Sequence, residues 1–295
     1  MPDTDLPSAT NVARSDGGLT RLEWELIADA RAWAGKRPEL PGQLLQQINA
    51  AGRRLMQRAL SSPRVAEMVD MASTQLLEQF DPEAVRTEGP RLDPDGHASP
   101  ARRTAALKQA DGRADMAARR FTRMLGAQGA ATGAASINLV TTAVAMAGDI
   151  TASTVGLLHA AAEVLAAYGP RGDDLRTGAV RILLLVGERE PERRRHGLLV
   201  AAGIEPAPTP GLEDLAEILA GQTGPRVVNE AIETIIRRRV RARLLLAVPA
   251  IGAVIGAATS MWMTSRATEA AKHVGRLTFL HRHAVLSPNL TSAVG

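Results

Sequence analysis

Two long stretches of the chain, 124–148 and 244–265, carry no charge and are rich in Ala, Gly, Ser and Thr. Each holds two glycines four apart, Gly129 with Gly133 and Gly252 with Gly256. Small residues at that spacing let two helix backbones approach closely, in a membrane or in a core. Starting inside the first stretch and running past it, Leu139, Ala143, Met146, Ile150, Thr154, Leu157, Ala161, Leu165 and Tyr168 recur at steps of three and four, which predicts one long helix buried along a stripe. Aromatic residues are 2% of the 295, with a single Tyr, so sheet-rich folds and stacking platforms for single-stranded nucleic acid lack their usual residues. The absence of Cys excludes disulfides, thiolate nucleophiles and Cys-based metal sites. The expected fold is all-α, a multi-helix bundle with Gly/Ala-rich hydrophobic helical hairpins.

The rest of the chain organises around that core. Residues 1–19 are polar without an apolar run, which predicts a disordered tail, no signal peptide and a cytoplasmic start. Residues 20–80 read as an N-terminal helical module. Thr20 and Glu23 have capping-box spacing, with Leu22, Leu26, Ala30 and Trp33 on one face and Gly35 at the end. Two further helices are expected after Pro41 and after Ser62-Pro63. Residues 81–100 crowd Asp, Pro and Gly, predicting a linker that buries nothing. Residues 101–283 form the expected hydrophobic core unit and 284–295 a C-terminal tail. Within the core unit, a helix is expected from about Ala101 to Leu125. Gly169-Pro170 should end the long helix, and Asp173-Asp174 should cap the next. No single structure is assigned to 187–211, and a final amphipathic helix is expected to about Arg282.

Charge adds a second constraint. The net charge is +4, and lysine appears only at Lys36, Lys108 and Lys272, so basicity is nearly all Arg. Arg237, Arg238, Arg239, Arg241 and Arg243 occupy five of seven positions, directly before the uncharged 244–265. Twenty-two uncharged residues are long enough to span a bilayer, but Pro249, two glycines and several hydroxyls pull the insertion energy back towards zero. Basic residues that abut an apolar segment fit a helix entering a leaflet whose anionic lipids hold the flanking arginines. A nucleic-acid partner is disfavoured, because that role calls for charge interleaved with polar or stacking residues.

Several of these segments together resemble the EcsC family. They are the opening helix from Glu23 to Trp33, Gln128-Gly129-Ala130-Ala131-Thr132-Gly133, Asp149-Ile150, the helix end Ala166-Ala167-Tyr168-Gly169, and the run from Pro249 to Ala257 followed by Ala270-Ala271. The resemblance follows chain order over most of the sequence. It implies an all-α fold with hydrophobic helical hairpins and association with bacterial membranes or membrane transport systems, and it carries over no catalytic residues. Ser260 stands where the family tends to have Asn, and Val274 and Gly275 where it tends to have aromatics.

Asp149, His159 and Glu163 are the ionisable groups of the long helix, and so are candidate buried polar residues. At 1.5 Å per residue Asp149 and Glu163 lie about 21 Å apart, and only His159 and Glu163 are i,i+4 neighbours. That is not a metal site by itself, and neither a metal nor a cofactor is expected. The reading from sequence is therefore a non-catalytic, membrane-proximal helical protein, peripheral to the cytoplasmic face of the inner membrane, with integral insertion left open. Its expected partners are an anionic membrane surface or a membrane protein, with homo-oligomerisation open. The alternatives are a metal-dependent hydrolase-like enzyme using Asp149, His159 and Glu163, and a soluble helical adaptor that docks through its GxxxG faces.

Overall fold

The computed structural model describes residues 19–36, 75–76, 79–90, 98–135, 142–188, 190–204, 235–236 and 252–283. Six helices and no strand are present among them: α1 (Arg21–Gly35), α2 (Pro100–Ala135), α3 (Thr142–Ala166), α4 (Asp173–Val186), α5 (Pro191–Ala201) and α6 (Gly252–His283), with a 3₁₀ turn at Pro82–Ala84. The fold is an all-α bundle. No described helix is long and apolar enough to cross a membrane.

α1 starts as its spacing predicts. Thr20 accepts from the Glu23 backbone N–H at 3.3 Å, and the Glu23 carboxylate accepts from the Thr20 N–H at 2.6 Å, closing a capping box. Leu26, Ala30 and Trp33 are buried on its inner face and Leu22 packs at the edge. α2 continues through the expected boundary at Leu125 as one helix to Ala135. Ala106, Leu107, Ala110, Ala114, Ala117, Phe121 and Leu125 form its buried stripe, with alanine setting a close approach to α6. α6 matches it with Ala267, Ala270, Ala271 and Val274, all fully buried, and touches each of the other five helices.

α3 is buried beyond the expected stripe. From Ala160 to Tyr168 every residue is buried, so this end is enclosed on all sides and not on one face. The helix gives way at Gly169, whose φ of 112° suits a residue without a Cβ. Asp173 and Asp174 do not cap α4. The N-cap is Gly172, with no side-chain cap, and both carboxylates lie in the first turn, where they face the positive end of the helix dipole. Within 187–211, residues Pro191–Ala201 form a full helix, α5, with proline in its first turn.

Residues 81–90 are not an idle connector. Asp81 caps the 3₁₀ turn, Phe80 is buried, and Gly89 is buried so close to Gly169 that a Cβ there would stand 2.6 Å from its backbone. The segments 20–80 and 101–283 share one apolar core that runs from Leu26 and Trp33 through Leu76 and Phe80 to Leu280. The reason is that the inner face of α1 has nowhere else to bury: it lies on α5 and α6. The expected helices after Pro41 and Ser62-Pro63 lie outside the described residues, apart from Leu76.

Candidate functional site

Three polar clusters interrupt the core, and each joins elements far apart in sequence. The first is Glu163, on the buried face of α3. Its carboxylate accepts from the backbone N–H groups of Arg86 at 3.4 Å and Thr87 at 3.1 Å, from the Thr87 hydroxyl, and from Arg120 Nη2 at 3.0 Å. Burial pushes its pKa up, but the bonds from Thr87, Arg86 and Arg120 outweigh that and hold it below the usual carboxylate range. Glu163 is thus the clamp that holds the 85–90 strap, and both its oxygens are occupied.

His159, one turn before, packs edge-on against Phe80 with ring centroids 5.0 Å apart. Burial lowers its pKa, against the pull of Asp81 and Glu163, so it is neutral near pH 7. The Asp149 side chain lies outside the described residues. Of the trio Asp149, His159 and Glu163, the two with described side chains are each engaged elsewhere: His159 faces Phe80, and Glu163 is spent on the strap. No group of three His, Asp or Glu that could hold a metal occurs among the described residues.

The second cluster is a buried ion pair. Arg103 Nε and Nη2 donate to the Glu23 carboxylate at 2.8 and 3.2 Å, joining α2 to the start of α1. Burial raises the Glu23 pKa, and the bonds from Arg103 and Thr20 bring it below the ordinary value.

The third is an ionic seam between α2 and α6. Asp111 accepts from Arg276 Nε at 2.9 Å and Nη2 at 3.2 Å, and also from the Tyr168 hydroxyl. One turn along, Asp115 accepts from Lys272 at 2.7 Å, and Arg276 Nη1 reaches Asp29 of α1 at 3.2 Å. Tyr168, Asp111, Arg276 and Asp29 thus tie four helices together at one point. Acids four apart on α2 meet bases four apart on antiparallel α6. That complementary spacing is present in the sequence, but the sequence does not say which faces meet.

Beside this seam a cleft of about 560 Å³ opens between the C-terminal half of α1 and α6. Arg266, Glu269, Lys272, His273 and Arg276 form one wall, and Asp29, Trp33 and Lys36 the other. Trp33 and His273 stack at a centroid distance of 5.2 Å and are 7% and 4% exposed. His273 Nδ1 stands 3.9 Å from Asp29 Oδ2, too far for a hydrogen bond. Burial is the main cause that pushes its pKa down to about 4, with Arg276 and Lys272 acting the same way and Asp29 and Asp111 opposing. The ring is neutral at pH 7.

The four glycines singled out for helix packing fare unevenly. Gly129 is buried in α2, whereas the surroundings of Gly133, Gly252 and Gly256 lie outside the described residues. Among the described residues, close approaches are found at other glycines. A Cβ would stand 2.6 Å from Met261 at Gly126, 2.5 Å from Leu125 at Gly156, 2.4 Å from Leu165 at Gly178 and 2.2 Å from Tyr168 at Gly275. None of these four belongs to a GxxxG pair. The arginines at 237, 238, 239, 241 and 243 lie outside the described residues.

These contacts also fix which helix ends lie together. Gly126 meets Met261 and Leu125 meets Gly156, while Asp111 meets Arg276 and Tyr168. The C-terminal end of α2 therefore lies beside the N-terminal parts of α3 and α6. In α2 residues 124–135 carry no charge, in α6 residues 252–265 carry none, and in α3 Asp149 is the one charge before His159. Among the described residues the bundle is polarised along its length: ion pairs hold one end, and the other carries Asp149 as its one charge, with Met124 and Met261 about half exposed.

No family model matches the chain, and no curated protein or solved structure does either.

Proposed function

We propose that the protein is a non-catalytic, membrane-proximal helical protein that associates peripherally with the cytoplasmic face of an inner membrane and engages membrane or transport partners there. The observation that carries this reading is the apolar end of the bundle, where Asp149 is the one charge among the described residues. At 1.5 Å per residue, the twelve residues 124–135 extend about 18 Å, against roughly 30 Å for a bilayer's hydrocarbon core. That length suits shallow burial in one leaflet. Arg119 and Arg123 of α2, both exposed, and Arg266 of α6 stand at its base, where phosphate groups would lie. The run from Arg237 to Arg243 lies fewer than ten residues before α6 begins at this same end. The resemblance to EcsC proteins points the same way.

Sedimentation with phosphatidylglycerol vesicles tests the proposal. Each arginine near an anionic surface contributes about 1 kcal/mol, so replacing Arg237, Arg238, Arg239, Arg241 and Arg243 with Gln should weaken partitioning roughly a hundred- to several-thousand-fold. Met124→Asp with Met261→Asp should weaken it too, by placing charge at the apolar end. Wild-type protein that ignores these vesicles at low salt would defeat the reading. Stronger binding to RNA or DNA through the same arginines would replace it.

A further inference from the structure

The cleft between α1 and α6 combines features that the membrane reading does not use. Its inner end is a corner of excess positive charge. Lys36 and Arg266 line it, and the buried Arg194 lies close enough for Arg266 to depress its pKa, after burial itself as the main cause. Arg194 spends its donors on main-chain oxygens of Ala34, Lys36 and Glu188, with no carboxylate in its hydrogen-bond set among the described residues. Arg195 rests against Gly35. Two acids approach this corner: Glu269, which Arg266 reaches at 3.5 Å, and Glu188, whose charge opposes the lowering of the Arg194 pKa. The other lining cations, Lys272 and Arg276, are already paired with Asp115, Asp111 and Asp29.

Two buried polar atoms of the lining have no partner among the described residues: Trp33 Nε1 and His273 Nδ1. Buried polar side-chain atoms are mostly satisfied, and each left unpaired costs stability, so two on one cleft mark a place built to hold something. The volume lies within the range of small-molecule sites. Its mostly polar, cation-rich lining selects a polar anion over an apolar ligand.

We infer that this cleft binds a phosphate ester of glycerol size, the anion held by Lys36 and Arg266, and the ester's hydroxyl side lying along Trp33 and His273. The neutral His273 ring and the Trp33 N–H supply an acceptor or donor and a donor, which suit hydroxyl groups. Arg266 directly follows the uncharged run that ends at Ser265. The cleft therefore begins where that run stops, at the depth of lipid headgroups if the apolar end enters a leaflet. A lipid headgroup and a free phosphate ester present the same chemistry. Only the lipid source rests on the membrane reading.

The full chain is titrated with sn-glycerol 3-phosphate while the indole N–H resonance of Trp33, assigned by its loss in Trp33→Phe, is followed by NMR. A saturable shift is expected, absent with sodium chloride at equal ionic strength. Lys36→Gln with Arg266→Gln should weaken it about tenfold or more for each charged contact removed. Lys36 is exposed and Arg266 has only the long contact to Glu269, so the fold should persist; if the pair unfolds, Lys36→Gln alone gives the comparison. No shift, or a shift that the variant keeps, overturns the inference. Phosphatidylglycerol vesicles separate the sources. Vesicle binding lost in the double variant assigns the headgroup, and glycerol phosphate binding without vesicle binding keeps the cleft but sinks the membrane reading. Vesicle binding with no response to glycerol phosphate leaves the membrane reading standing and removes the cleft.

Discussion

Replacing Gly275 with Ala adds one methyl group at the most crowded point of the bundle. The new Cβ would stand 2.2 Å from Tyr168 Cδ2 and 2.8 Å from Cε2, well inside van der Waals contact. The ring cannot turn away easily, because Tyr168 is 1% exposed and its hydroxyl is bonded to Asp111. Overpacking of this kind costs about 1 to 3 kcal/mol, and loss of the hydroxyl bond adds about 1. Alanine's higher helix propensity returns about 1 kcal/mol. The net expectation is a loss of roughly 1 to 3 kcal/mol, or a thermal midpoint lower by about 2 to 12 °C at ~2 to 4 °C per kcal/mol. Gly112→Ala is the control, since Gly112 lies inside α2 with nothing near its Cβ position. There the propensity gain stands alone, and the midpoint should rise by a few degrees. Thermal melts followed by circular dichroism on both variants decide it. A Gly275→Ala protein as stable as wild type would refute the argument that Tyr168 is locked between α2 and α6.

Arg103→Met should cost about 3 to 5 kcal/mol in chemical denaturation, because it leaves the Glu23 carboxylate buried without its partner. Glu163→Gln places an amide donor against the Thr87 and Arg86 N–H groups and should free the strap, read as faster tryptic cleavage at Arg86; unchanged cleavage would contradict the clamp. For His273, the folded state binds a proton only near pH 4 whereas the unfolded chain binds one near 6.5, so stability falls as pH drops through that window. The loss is roughly 3 kcal/mol, and His273→Gln should flatten the profile between those values. Below it, Glu23 and Glu163 add a second loss, since their lowered folded pKa values stabilise the protein above the unfolded carboxylate range and cease to as pH falls through them.

What could be read without coordinates was local. The capping box at Thr20 and Glu23, the inner face of α1, the stripe from Ile150 to Tyr168 and the stop at Gly169 all depend on residues within four positions of one another, the reach of helical hydrogen bonds and of i,i+4 neighbours. The poverty in aromatics and the small-residue runs were enough for the all-α class. Long-range partners were another matter. Glu163 looked like a candidate ligand because its donors at Arg86 and Thr87 lie 77 and 76 residues away, in a stretch whose composition reads as a connector. The pairing of α2 with α6 is more distant still: antiparallel packing sets Asp111 and Asp115 opposite Arg276 and Lys272, more than 150 residues away. Ala- and Gly-rich helices can slide past one another in several registers at little cost in buried area, so spacing alone does not say which glycine meets which side chain. Bulky and charged groups broke that degeneracy: Tyr168 seated on Gly275, and the seam that closes around it, admit one register, and with it the cleft beside Trp33 and the apolar end of the bundle came into being.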